Sequence, residues 1–128
     1  MQYQVELIRA PGAVSKDDLN QIHVYKIFLN GNFVMEISEE FTLFINTLVH
    51  GGMKKVVFDL TNLKYIDSTG IGIFINLTKG IRAKGGDLVF LNVNAKVYEI
   101  FSLVKLNDFI QFFKSDKQVN EHLFSLGR

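Results

Sequence analysis

Asp67, Ser68 and Thr69 stand in a row between an apolar run, Val56–Leu60, and a helix-like pattern opened by Gly70 and Gly72. A hydroxyl at a helix start meets outward-pointing N–H groups and the positive end of the helix dipole. That environment suits an anion such as a phosphate. The strand–Asp-Ser-Thr-Gly–helix order therefore predicts a modifiable hydroxyl at the surface, beside a carboxylate, on a rigid element. From spacing alone the same residues also read as an ordinary helix cap.

Other chemistries fit poorly. Gly70-Ile71-Gly72 lacks the third glycine of a dinucleotide fingerprint, and Lys79-Gly80 follows no phosphate-cradling loop. Aspartic-protease chemistry needs a glycine directly after one hydroxyl residue and a second, paired aspartate, so Asp-Ser-Thr-Gly does not supply it. His23, His50 and His122 are dispersed without metal-ligand spacing. Asp59, at a strand end with no second acidic pair beside it, reads as structural. No general base, nucleophile pair or metal cluster argues for catalysis, so a non-enzymatic protein with no cofactor and no metal is expected.

The elements that position these residues follow from periodicity. Met1–Ile8 alternates polar and apolar, and His23–Leu29 is a second strand, so the two are expected to pair as a hairpin. Pro11-Gly12 breaks the first strand, Ser15–Asn20 reads as a polar connection, and Asn30-Gly31-Asn32 ends the second strand. Ser38-Glu39-Glu40 looks like a helix entry, followed by the apolar stripe Phe41, Phe44, Ile45, Leu48 and Val49. Phe33 and Met35 then fall in a loop, as core plugs or as an apolar docking patch.

Lys55–Leu60 suits a central strand, followed by a short polar connection. A helix over about Ser68–Lys84 turns Ile73, Phe74, Leu77 and Ile81 inward and stops at Gly85-Gly86. Asp87–Val93 is a strand. Asn94 caps a helix with Val97, Ile100, Phe101 and Val104 facing in. Phe109–Phe113 is a short strand. Ser115 and Gln118 resemble a capping box before a helix carrying Val119, Leu123 and Phe124. The order ββαβαβαβα predicts a single α/β domain over residues 1–128, with a mixed sheet of about five strands and about four helices.

Composition narrows the function. The 128 residues are 48% hydrophobic and 21% charged, ordinary globular values, and the formal charge is only +1. Basic residues are scattered, so direct nucleic-acid binding is not expected. The absence of cysteine excludes disulfides and thiolate chemistry. No signal-peptide layout and no run of about 20 apolar residues is present, and a soluble, cytoplasmic chain is expected.

Several blocks together resemble the STAS domains, specifically the free-standing anti-sigma factor antagonists. They are Val56-Val57-Phe58-Asp59-Leu60, Tyr65-Ile66-Asp67-Ser68-Thr69-Gly70-Ile71-Gly72, Arg82-Ala83-Lys84-Gly85-Gly86-Asp87-Leu88-Val89 and Val97-Tyr98-Glu99-Ile100-Phe101. The likeness covers most of residues 22–125. It implies that Ser68 is phosphorylated by a serine-kinase anti-sigma factor and dephosphorylated by a PP2C-type phosphatase. The unmodified form would bind the anti-sigma factor and release sigma.

Asp67, Thr69, Gly70 and Gly72 would then border the partner, the glycines letting its backbone approach. Phe33, Val34 and Met35 would lie nearby. Val34 stands where family members often carry an aspartate, a departure that bears on partner identity. The resemblance also admits a STAS-type binding or scaffold subunit of a signalling or lipid-transport complex that works without phosphorylation.

Overall fold

Alternating burial over the first strand, and nearly continuous burial over the third, set the sheet's edge and its centre. The computed structural model describes residues 1–9 and 23–126, so the expected turn at Pro11-Gly12 and the connection Ser15–Asn20 lie outside the described residues. Strands β1 (Gln2–Arg9), β2 (His23–Phe33), β3 (Lys55–Ile66), β4 (Asp87–Leu91) and β5 (Phe112–Phe113) form one sheet in that spatial order. β1 pairs antiparallel with β2, from Gln2 opposite Asn30 to Arg9 opposite His23. The pairs β2–β3, β3–β4 and β4–β5 are parallel.

Helices α1 (Met35–His50), α2 (Ser68–Ala83), α3 (Ala95–Leu103) and α4 (Asp116–Phe124) alternate with the parallel strands, with a 3₁₀ turn at Leu106–Asp108. The period of two along each strand sorts the core into two layers. Val56, Phe58, Leu60, Leu88 and Phe90 join Phe41 and Ile45 of α1, Phe74 and Ile81 of α2, and Val97 and Phe101 of α3. Val57, Val89 and Leu91 face the other way, toward Val119, Leu123 and Phe124 of α4. Helix α4 alone thus covers the second face among the described residues.

Phenylalanine rings run through the larger layer in contact. Phe33 meets Phe41 at 4.7 Å and Phe74 at 5.3 Å between centroids, Phe74 meets Phe90 at 4.9 Å, and Phe90 stacks on Phe101 at 5.2 Å. Pairs in this range add about 0.5–1.5 kcal/mol each beyond burial. They tie β2, α1, α2, β4 and α3 into one packed unit.

Several sequence expectations change. Thr61–Lys64 is not a connection but part of β3, which runs on to Ile66. Nor does Asn30-Gly31-Asn32 end β2: the strand continues through register shifts between Phe28 and Asn30 and between Gly31 and Asn32, with Gly31 at φ 108°. Such irregularities keep two strands paired where a strict ladder would fail. Phe33 is consequently the last residue of a strand and fully buried, not a loop residue.

Helix α1 begins at Met35, not near Ser38, whose hydroxyl donates to the Met35 carbonyl at 2.7 Å. Val104 is 53% exposed, because the helix has already ended there. The expected strand Phe109–Phe113 shortens to Phe112–Phe113, its first residues following the 3₁₀ turn.

Candidate functional site

Each of α1, α2 and α3 starts where the parallel strand before it ends, so three helix N-termini gather at the carboxyl end of the sheet. Ligand and partner sites of open α/β sheets form at this end. Asp67 lies at the centre of the gathering. Extended at φ −98° and ψ −178°, it is the N-cap of α2, and its Oδ1 accepts from the Gly70 N–H at 3.0 Å. Its Oδ2 accepts from the Met35 N–H at 2.9 Å, the first N–H of α1. Its own N–H donates to the Phe33 carbonyl at 3.1 Å.

One residue therefore joins two helix starts through its carboxylate and the end of β2 through its backbone N–H. This explains why α1 tolerates Val34 as its N-cap. Valine offers no acceptor, and no side-chain cap bond is made there, but Asp67, 32 positions beyond Met35, supplies one. Sequence reasoning placed Asp67 beside Ser68 and missed this second role. Nothing local to Val34-Met35 foretells a partner from another part of the chain.

Ser68 is the first residue of α2 and is exposed, while Thr69 after it is half-buried. Because Asp67 makes the cap, the Ser68 hydroxyl is not the capping group, and the residue is exposed at the start of the helix. Two dipole ends converge here, and each favours an anion by about 0.3–1 kcal/mol at an exposed position.

The two glycines differ in kind. A Cβ on Gly70 would lie 2.8 Å from Ile66 Cγ1 and 3.0 Å from the Phe33 carbonyl oxygen. Gly70 is buried and is required by this chain's own packing, so it does not serve as an opening for another protein. A Cβ on Gly72 would meet nothing within 4 Å. A glycine in a helix sacrifices about 0.5–1 kcal/mol against alanine, and at Gly72 no internal contact requires it.

The apolar neighbours divide likewise. Phe33, expected among partner-facing residues, is sealed in the core, so its side chain anchors the site from below. Val34 is half-buried and Met35 is 62% exposed. Tyr65, opposite Asn32 and two residues before Asp67, is 45% exposed and was not singled out from the sequence. Asp67, Ser68, Thr69 and Met35 thus come together at the surface with Val34 beside them, and Gly72 lies one helical turn along α2. Asn94 fixes the far side: its Oδ1 caps α3 through the Val97 N–H, and its Nδ2 donates to the Leu63 carbonyl at 2.7 Å. Asp59 is used internally, accepting from the Thr61 N–H and hydroxyl.

The model of the STAS domain matches residues 16–119. An anti-sigma-B factor antagonist of Listeria monocytogenes is 31% identical over 62 residues, which are 48% of this chain and 54% of that protein. The match thus spans about half the length of that relative. An anti-sigma-B factor antagonist of Staphylococcus aureus is 24% identical over 84 residues, 66% of this chain and 78% of that protein.

Among solved structures, an anti-sigma factor antagonist from Mycobacterium paratuberculosis superposes with a TM-score of 0.72 at 12% identity, covering 95% of this chain and 94% of that one. The Bacillus cell fate determinant SpoIIAA in its phosphorylated form gives 0.63 at 17% identity, covering 94% and 99%. At these identities the superpositions establish a shared fold. Among the described residues no helix is long and apolar enough to cross a membrane.

Proposed function

The chain belongs to the STAS domain family, and on that footing we propose that it is a non-enzymatic, phosphorylation-controlled anti-sigma factor antagonist acting as one domain in the cytoplasm. In this reading the unmodified surface around Ser68 binds a serine-kinase anti-sigma factor and so releases sigma. The kinase phosphorylates Ser68, and a PP2C-type phosphatase restores the hydroxyl. The observation that carries the proposal is the exposed Ser68 hydroxyl at the first position of α2, left free by the Asp67 cap.

Phosphorylation adds about −1.5 to −2 charge and three strong acceptors. Asp67 repels that charge, while the starts of α1 and α2 attract it, so the local terms oppose one another and the helix stays folded. The effect falls on the partner. A surface packed against a neutral hydroxyl, with Met35, Tyr65 and Gly72 around it, would have to bury an unpaired dianion. That costs several kcal/mol, and each 1.4 kcal/mol is tenfold in affinity.

The test is to incubate the protein with the serine-kinase anti-sigma factor of the same organism and ATP, then map the label. Label on Ser68 that disappears in Ser68→Ala is the expected result. Undiminished labelling of Ser68→Ala refutes the assignment.

One observation favours a second reading. Val34 presents an apolar N-cap without an acceptor, which suits docking to a scaffold or transport complex without modification. Affinity purification separates the two: an anti-sigma kinase supports the first reading, a large assembly without a kinase the second.

A further inference from the structure

The two edges of the sheet are built differently. β5 is two residues long, a blunt edge, whereas β1 is eight residues long and pairs with β2 at every position without a register shift. No proline interrupts β1, and among the described residues no strand lies beyond it. A long, regular, unpaired edge is a template for another strand, and proteins that must avoid this carry bulges, prolines or short edges.

Odd positions of β1 face the α1 layer. The Tyr3 ring lies 4.6 Å from Phe44 and 5.6 Å from Phe41, its hydroxyl donates to Glu40 at 3.3 Å, and Val5 packs on the same core. Leu7 shares that face but is 55% exposed. Leu43, one turn from Glu40 on α1, is 71% exposed. Leu7 on the strand and Leu43 on the helix that packs on Tyr3 are thus exposed apolar groups among the described residues.

We propose that a second copy of this chain covers them by antiparallel β1–β1 pairing, with the two-fold axis at Val5, producing one continuous sheet across both molecules. Directly opposed residues in an antiparallel pair share a face, so the axis must pass through a residue. Two axes use most of the strand. An axis at Glu6 sets that carboxylate against its own copy, which is destabilising. The axis at Val5 sets Val5 against Val5, Leu7 against the Tyr3 of the other copy, and Gln4 against Glu6 on the solvent face. Leu7 then extends the Tyr3–Phe44 cluster across the seam, twice by symmetry. Ser68 lies at the carboxyl end of β3, outside this pairing, so the proposal stands apart from the regulatory reading.

The test uses the full chain, which has no cysteine. Sedimentation equilibrium from about 1 to 200 μM should show a concentration-dependent dimer, a range chosen to bracket a weak association. Leu7→Lys, at an exposed position that leaves folding intact by circular dichroism, should weaken it at least tenfold. Val5→Cys places two thiols opposite one another, about 4.5–5.5 Å apart between Cα atoms, within disulfide reach. It should cross-link rapidly on mild oxidation. Leu7→Cys puts its thiols about 13 Å apart along the strand direction and should not.

A monomer at every concentration overturns the proposal, including the case in which a different protein occupies the edge in the cell. A dimer insensitive to Leu7→Lys, or one in which Leu7→Cys cross-links as fast as Val5→Cys, overturns it as well.

Discussion

Asp67 is the residue on which the site depends, because it satisfies N–H groups at the starts of two helices that β3 separates in sequence. Each cap of this type is worth about 1 kcal/mol. Asp67→Ala should therefore lower the unfolding free energy by about 2 kcal/mol in urea denaturation, while Asp67→Asn, still an acceptor, should lose less than half of that. Ser68→Ala should leave stability within about 0.5 kcal/mol, the usual range for an exposed position. The exposed place of Ser68 at the start of α2 was legible in the sequence, whereas its phosphorylation is implied by the family resemblance alone, since the same spacing also reads as an ordinary helix cap. The Asp67 clamp was not legible, because hydrogen-bond partners 32 positions apart leave no local pattern.

Elements come together at this site through close approach, and the two glycines of α2 separate that demand from binding. Gly70→Ala pushes a methyl group against Ile66 and the Phe33 carbonyl and should destabilise by about 1–3 kcal/mol, the usual range for overpacking. Gly72→Ala meets open space and should raise stability by up to about 1 kcal/mol. If a partner's backbone approaches there, the same change weakens that partner's binding. Thermal denaturation read beside a binding titration resolves the pair.

The helical stripes, the Asn94 and Ser115 caps and the parallel β3–α2 unit were all readable from spacing. The start of α1 and the length of β3 were not. In β3 the polar stretch Thr61–Lys64 hides a strand held by pairing with an irregular β2, a tertiary decision that overrides local composition.

Across the whole molecule, a second polar knot holds the opposite end of the sheet. Asp87 accepts from Arg82 Nε at 2.8 Å and from the Leu88 N–H at 2.9 Å, and its Oδ2 lies 2.8 Å from His122 Nε2. Arg82 also reaches the Phe109 carbonyl at 2.7 Å. The end of α2, the start of β4, the 3₁₀ turn and α4 are joined there. Asp87→Ala should cost about 2 kcal/mol by chemical denaturation, and no more, since Arg82 and His122 keep access to water. Because the knot lies at the far end from Ser68, the variant should bind a Ser68-directed partner normally wherever it remains folded.

The proposed phosphorylation of Ser68, exposed at the start of α2, predicts a switch that works at the interface and leaves the fold unchanged. The most direct measurement is calorimetric titration of the anti-sigma factor with the unmodified protein and with protein stoichiometrically phosphorylated at Ser68. The account predicts a loss of affinity of at least about 100-fold, equivalent to about 2.7 kcal/mol, with superimposable circular dichroism spectra. Equal affinity for the two forms, or a spectrum showing α2 melted by the phosphate, would contradict it.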